Sequence, residues 1–439
     1  MKKDMFLLIA ALCFGSWATA SNLTFEKVGD FGIVYPGAIV TIDINNDGFP
    51  ALLYMERSAD KRSIYIENNK GVLTPHHYAA NVGIKDFGLP YRENPGMVVA
   101  DVNHDGKQDV ILSGGWPPTL EVYLNNGKGN FQKDASQVNL QGARDWENSD
   151  YLAVGDYDND GWDDLFVLGM TYDKELAKEF MKLSVYRNNN GVFDKPDQSL
   201  IGCRSGSIAV GDISGDGHLD VFYTGYGCGY ETHLYYGNGA GVWRAEMNIP
   251  FDQAIKGDVA ILDFDNDGAL DLIEQGREHG GTTIYRNNGD GTFDKKLNTE
   301  TGLPAREALY IDYGDFNADG KVDVIGADWL IADNGGATAI FLNNGNLTFS
   351  KVDAVEEARG SVFAWDYDKD NQSDYIVWYY SDLLQSYNAP IVHNITKTTP
   401  SDIGKLVEDL NEDSMFIHDG CLFIRHEGKL YNVLGLSIE

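Results

Sequence analysis

Seven short stretches of this chain place oxygen-bearing side chains at alternating positions. In Asp263-Phe264-Asp265-Asn266-Asp267-Gly268-Ala269-Leu270-Asp271 the carboxylates stand at positions one, three, five and nine, with glycine at six. Alternate oxygens on a loop folded back on itself make a cage for a hard cation, and Ca²⁺ takes roughly six to eight of them. Glycine at six permits a backbone turn that a Cβ would resist. The other six loops supply Asp43, Asn45 and Asp47; Asp101, Asn103, Asp105 and Asp109; Asp156, Asp158, Asp160 and Asp164; Asp212, Ser214, Asp216 and Asp220; Asp315, Asn317, Asp319 and Asp323; and Asp366, Asp368, Asp370 and Asp374. Numbered in chain order, loops three and five have four aspartates each and should hold a cation best. Loops two, four and six exchange one carboxylate for a neutral oxygen. Loop seven has Asn371 in place of glycine, a residue that tolerates the left-handed backbone. Loop one has Ala51 at position nine and is the weakest of the set. Chemistry is ordinarily single-copy and scaffolding repeated, so up to seven cations would serve the fold, and crowded carboxylates couple their binding to folding.

The elements that must position these loops follow from their spacing. The loops start 58, 55, 56, 51, 52 and 51 residues apart, and a steady period of that size marks a repeat architecture. Short apolar runs flank each loop: Met97–Ala100 and Tyr151–Val154 before, Asp109–Leu112, Asp164–Val167 and Asp220–Tyr223 after. At four or five residues, bounded by glycine, they read as buried strands. The same flanks set aside an EF-hand reading of Asp263 to Glu274, because that motif needs helices on both sides. A second hairpin follows in most units, with Asn-Asn or Asn-Gly at its turn, as in Tyr285-Arg286-Asn287-Asn288-Gly289. A closing strand then carries Phe131, Phe193, Phe293 or Phe349. Four strands per period is one blade, and seven periods make an all-β, seven-bladed β-propeller of four-stranded antiparallel blades. Leu23–Val28 resembles the closing strands and is expected to complete the last blade beside Leu422–Val433, closing the ring. Asp173–Lys182 has helical composition and reads as an inserted cap on blade three. Residues 384–418 read as an irregular excursion, with a short helix over Ser401–Leu410.

The chain has 439 residues, with 67 acidic against 34 basic ones and a formal charge of -33. That balance argues against nucleic acid as a partner. Lys2 and Lys3, the apolar run Met5–Phe14 and Ala18-Thr19-Ala20 read as a signal peptide over residues 1–20, leaving residues 21–439 as one propeller domain. Lipidation at Cys13 is disfavoured by the bulky Leu12 before it. No later stretch is apolar enough to span a bilayer. The expected product is an exported monomer, secreted or held in the periplasm or at the cell surface. Cys203 and Cys228 lie thirteen before and twelve after Asp216. In an antiparallel hairpin they fall nearly opposite each other, at the end away from loop four, and a disulfide is expected there.

At this point the chain resembles the FG-GAP/VCBS repeat family, the repeats of the integrin alpha-chain propeller and of many secreted bacterial proteins. The resemblance rests on the seven Asp-x-[Asp/Asn/Ser]-x-Asp-[Gly/Asn] loops and covers residues 23 to about 433. The name-giving Phe-Gly element is confined to Phe31-Gly32 and Phe87-Gly88. The resemblance implies that each loop joins the two innermost strands of a blade and binds Ca²⁺ through the residues named above. Adhesion or lectin-like roles are what such a family suggests.

Propeller geometry puts the loops on one face, so the non-repeating residues collect on the other. Arg92, Arg144, Arg204, Lys256, Arg306 and Arg359 each precede an inner strand. Trp116, Tyr226, Arg277, His279, Trp329 and Trp378 follow second strands. Rings beside arginines suit sugar faces and carboxylates. The bland alternative pairs the arginines with Glu93, Asp145, Glu307 and Glu357. No nucleophile elbow, zinc helix or phosphate loop occurs. A recognition module for extracellular glycan or a surface protein is the expected function. A lyase on acidic polysaccharide is the alternative, with Arg277 and His279 as its nominated pair.

Overall fold

A computed structural model describes residues 23–30, 36–56, 63–77, 95–115, 117–144, 151–173, 176–194, 199–227, 232–246, 249, 251, 257–276, 281–304, 309–328, 338–353, 360–381, 386–396, 415–418, 421–426 and 429–431. The fold is all-β: seven small, mostly antiparallel blades in a ring. Blade two shows the pattern, with strands Gly96–Ala100, Asp109–Gly114, Thr119–Asn125 and Phe131–Lys133 hydrogen-bonded in sequence order. From blade two onward the second strands open on a buried aspartate and continue with two or more apolar residues, because neighbouring blades cover both their faces. Asp109–Gly114 and Asp271–Gly276 are buried throughout. The core accordingly lies between blades: Leu53 and Tyr65 pack with Val110 and Tyr123, and Tyr54 and Ile66 with Trp365 and Ile391. At about 1.5–3 kcal/mol for each large apolar side chain buried, these inter-blade seams are the main cohesive force.

The ring spans residues 25–394, and a second compact unit combines residues 1–24 and 395–439. The ring closes as expected in kind, but with a different partner strand. Phe25–Asp30 pairs antiparallel with Pro390–Asn394 in blade seven, not with Leu422–Val433. Within the other unit, Met415–His418, Cys421–His426 and Lys429–Tyr431 form their own three-stranded sheet. Part of the expected excursion after residue 384 is therefore regular strand. The helix expected over 401–410 lies outside the described residues, as does the N-terminal segment 1–20. The helical composition of Asp173–Lys182 is overridden by pairing: Asp164–Asp173 and Lys178–Tyr186 run on as one long hairpin, with Asp173 opposite Lys178. A single-turn helix at Asn298–Thr301 is the only α-helix among the described residues.

A buried asparagine ties most blades to the one before. Asn125 donates through Nδ2 to the Ile44 carbonyl at 3.0 Å, Asn188 to Val102 at 3.0 Å and Asn287 to Ile213 at 2.8 Å. Asn343 reaches Phe264, Asn394 reaches Phe316 and Asn68 reaches Tyr367, each at 2.7 Å. Each acceptor is position two of the preceding blade's acidic loop, and Asn68 closes blade one onto blade seven. Blade four has Gly237 at the corresponding place.

Candidate metal centres

Each loop joins the inner and second strands of its blade, and its backbone is wound around its own carboxylates. The position-one aspartate accepts from the amides of positions five and six. Asp263 Oδ1 takes Asp267 N at 3.1 Å and Oδ2 takes Gly268 N at 2.9 Å. The same pair of bonds recurs from Asp43 in loop one to Asp366 in loop seven. The position-five aspartate accepts from position seven, as Ala269 N donates to Asp267 Oδ1 at 2.9 Å. Position six has φ between 77° and 92° in the six glycine loops. Backbone conformation alone demands glycine there, since an added Cβ at Gly106, Gly161, Gly217, Gly268 or Gly320 would meet nothing within 4 Å. Asn371 takes φ 66° in the same place. Position four is left-handed too, in residues as different as His104, Ala318 and Lys369.

Position nine is the hinge between loop and blade. Asp271 is fully buried; its Oδ2 accepts the Phe264 amide at 3.0 Å and its Oδ1 the Asn287 amide at 2.8 Å. Loops two, three, four, six and seven repeat this, so the residue that fixes position two also fixes the third strand, at the inter-blade asparagine or, in blade four, at Gly237. Burial raises these carboxyls from an ordinary 3.8 to about 6 for Asp109, Asp220 and Asp271, about 7 for Asp164 and Asp323, and about 8 for Asp374. The amide hydrogen bonds oppose that rise, and the neighbouring loop carboxylates add to it. A bound cation would reverse its sign.

Three loops gather carboxylates most tightly. Oxygens of Asp156, Asp158 and Asp164, of Asp263, Asp265 and Asp271, and of Asp366, Asp368 and Asp374 lie within 4.8 Å of one another. Loop seven thus joins loops three and five, its asparagine at position six notwithstanding. In each of the three, Oδ1 of the third-position aspartate is buried without a hydrogen-bond partner: Asp158, Asp265 and Asp368. An orphaned carboxylate oxygen in a cluster of carboxylates fits a cation ligand, and oxygen-only donors fit a hard ion. In loops one, two and six the neutral Asn45, Asn103 and Asn317 instead accept the position-five amide through Oδ1.

Basic side chains surround the clusters, and reading the sequence missed them. Arg187 donates from Nε to Asp158 at 2.5 Å and from a terminal nitrogen to Asp160 at 2.7 Å. Arg286 forks identically onto Asp265 at 2.5 Å and Asp267 at 2.6 Å. His393 Nε2 sits 3.1 Å from Asp368 Oδ2. In loops two and six Lys107 and Lys321 reach the position-five aspartate of their own loop. Position four also links adjacent loops: His104 stacks on Trp162 at 3.8 Å, and Asn159 donates to the Gly217 carbonyl at 2.8 Å. His218 Nδ1 lies 3.0 Å from Asn159 Nδ2.

Glu274 proves to be no loop ligand. It is buried in the second strand of blade five, accepting from Thr232 and Tyr285 hydroxyls at 2.6 Å each. At the opposite end of the blades, Arg144 forms an ion pair with Glu179 at 2.6 Å. Arg204 lies over the Tyr226 ring at 4.9 Å, and the two residues exchange backbone hydrogen bonds. Trp378 is a correction: it is buried in the seam between blades seven and one, stacked on Tyr54, and is no exposed platform. Cys203 is disulfide-bonded and buried. Cys228, Arg92, Trp116, Arg277, His279, Arg306, Trp329 and Arg359 lie outside the described residues. No helix among the described residues is long and apolar enough to cross a membrane.

A family profile described as an FG-GAP-like repeat matches residues 101–167, 212–274 and 263–326, so the chain carries FG-GAP-like repeats in these three regions. Each match begins on the first aspartate of a loop. Cartilage acidic protein 1 of Mus musculus is 23% identical over 362 residues, covering 73% of this chain and 53% of its own. The Xenopus tropicalis protein of that name is 26% identical over 317 residues, covering 64% of this chain and 48% of its own. The chain spans about half the length of these relatives. Among solved structures, an Agrocybe aegerita lectin, described for its specific recognition of non-reducing terminal N-acetylglucosamine, superposes with a TM-score of 0.51. It is 21% identical and the match covers 74% of this chain and 81% of its own. At that identity the likeness is one of fold.

Proposed function

We propose that this chain of FG-GAP-like repeats is an exported β-propeller whose acidic loops hold Ca²⁺ for stability, and that it acts as a recognition or adhesion module for extracellular glycan or a surface protein. The observation that carries the reading is the division of labour between the two ends of the blades. At one end an acidic loop of one backbone form recurs seven times, and six of the seven are hydrogen-bonded into the blade through a buried ninth-position carboxylate, which suits scaffolding. At the other end the repeats stop resembling one another, and Arg204 lies on the Tyr226 ring. A guanidinium beside an aromatic face suits a carbohydrate or a carboxylate-bearing ligand. The pairing of Arg144 with Glu179 takes that arginine out of the role. A lectin of similar fold recognises a terminal sugar, which the reading accommodates without borrowing its specificity.

Ca²⁺ would be held in loops three, five and seven by the carboxylates at positions one, three, five and nine. Bound there, it supplies positive charge that lets mutually repelling carboxylates share one loop. The functional test is a glycan array read beside an assay for unsaturated uronate release on one calcium-loaded sample. Saturable array binding without turnover is the expected result. Release of unsaturated product would replace this reading with the lyase, and neither signal would leave a scaffolding role.

A further inference from the structure

The seven loops form two classes, and the residue at position three predicts the residue on the third strand that faces it. Loops three, five and seven have Asp158, Asp265 and Asp368, and the residue just before the inter-blade asparagine is Arg187, Arg286 or His393. Loops one, two, four and six have Asn45, Asn103, Ser214 and Asn317, and the corresponding residues are Glu67, Leu124, Tyr236 and Leu342. Within one chain, an extra carboxylate thus comes with a basic side chain, and its absence comes with a non-basic one. The contacts explain the pairing. Arg286 takes Oδ2 of Asp265 and Oδ2 of Asp267, the two parallel bonds of a guanidinium fork. Asp265 has only 10% of its side chain exposed, and its Oδ1 has no hydrogen-bond partner. Asn317, by contrast, spends Oδ1 on the Asp319 amide. The fork therefore holds one oxygen of the third aspartate from outside the loop and leaves the other unspent.

We infer that Arg286 and Arg187, with His393 in the same place in blade seven, are positioning residues of the metal loops: each grips the outer oxygen of the third aspartate so that its inner oxygen can ligate the ion. The inference rests on the proposed metal reading and adds a named outer partner for each four-aspartate site. Outer partners of metal ligands set ligand orientation, and their loss costs about 10- to 100-fold in affinity. The opposing idea is that the arginines are competitors that the ion must displace. A guanidinium that bound both oxygens of Asp265 would fit that idea; one that leaves Oδ1 unspent fits the clamp.

The test is a Ca²⁺ titration of the full chain, followed by native mass spectrometry so that bound ions are counted. In R286L one ion is expected to dissociate at about tenfold higher free Ca²⁺ than in the unaltered protein, the other ions being unchanged. D265N removes the ligand on which the clamp acts, so D265N/R286L is expected to bind the ion no more weakly than D265N alone. R286K keeps the charge and loses the fork, so it should also weaken the site; it carries the test if R286L fails to fold. An R286L protein that binds every ion as tightly as before, or tighter, overturns the clamp and makes Arg286 a competitor. A double variant that binds about tenfold more weakly than D265N alone overturns it as well. If the unaltered protein binds no Ca²⁺, the metal reading itself fails, which this design separates from failure of the clamp.

Discussion

Blades four and five solve the same problem differently. Blade five reaches back with Asn287, whose amide donates to the Ile213 carbonyl at 2.8 Å and to the Leu270 carbonyl of its own blade at 3.1 Å. Blade four has Gly237 there, which keeps the backbone bond to Asp220 at 2.9 Å but has no amide to send across. The seam to blade three is filled by rings instead. Trp243 packs 5.8 Å from Tyr157 and 5.9 Å from Phe166, and Asn159 crosses between the acidic loops to the Gly217 carbonyl. A seam between blades can thus be closed by a directed polar tie or by apolar volume. The buried carboxylate at position nine, Asp220 or Asp271, is common to both.

That common element should give the largest effects. Six position-nine carboxyls have a folded pKa above their ordinary 3.8, by burial, at about 6 to 8. The folded chain then binds more protons than the unfolded one across that window, so the stability of chelated protein falls as pH rises through it. A chelated sample is expected to melt at higher temperature at pH 5 than at pH 7.5. With excess Ca²⁺ the order should invert, because the ion favours the ionised form. Melting curves at both pH values, with and without chelator, check this; a chelated protein that gains stability with pH would break the assignment. Next in size, D271A removes the carboxylate that accepts two backbone amides and D220A the one that accepts three, and each should cost about 3–5 kcal/mol by urea unfolding. Similar costs in both blades would confirm that the carboxylate does not depend on how the seam is closed.

The ties themselves come next. N287A leaves the Ile213 and Leu270 carbonyls without their donor and is expected to cost about 2–3 kcal/mol. W243A empties a partly exposed aromatic site in the seam of blade four and should cost about as much, ~2–3 kcal/mol. Their denaturant midpoints, measured side by side, sharpen the comparison: a W243A cost near zero would mean that Asn159 and the loops hold the seam without the rings.

The ring was legible in the sequence because period, loop and strand signals are local. Glycine at position six announces its positive φ, and apolar runs announce strands buried on both faces. What escaped was every residue whose partner lies a full repeat away. Asn287 reads locally as a turn former before Asn288 and Gly289, yet its amide acts on Ile213 in the preceding blade. Arg286 reads as an exposed strand residue until Asp265 and Asp267 are brought beneath it. The signal was present as a correlation between position three and that strand, visible only when the units are aligned. Trp378 was misplaced for a related reason: an aromatic residue late in a strand looks the same at a rim as in a seam, and only ring closure onto Tyr54 decides. Asp173–Lys182 shows the converse, a helix-forming composition overruled by cross-strand pairing.

The smallest predicted effect probes whether the two solutions exchange. G237N offers blade four the asparagine that six other blades use. The Cβ of a residue at 237 would stand 2.2 Å from the Leu219 carbonyl oxygen and 3.0 Å from the Trp243 ring. The local backbone has settled around the absence of a side chain, and the ring occupies the space an amide would cross. G237N is therefore expected to destabilise by about 1–2 kcal/mol, the cost of forcing volume into a packed site, and not to stabilise as a repaired tie would. Thermal or urea unfolding of that single variant decides it. A gain in stability would mean that blade four merely lacks its tie, whereas a loss means that aromatic packing and the asparagine are mutually exclusive ways to seal a seam.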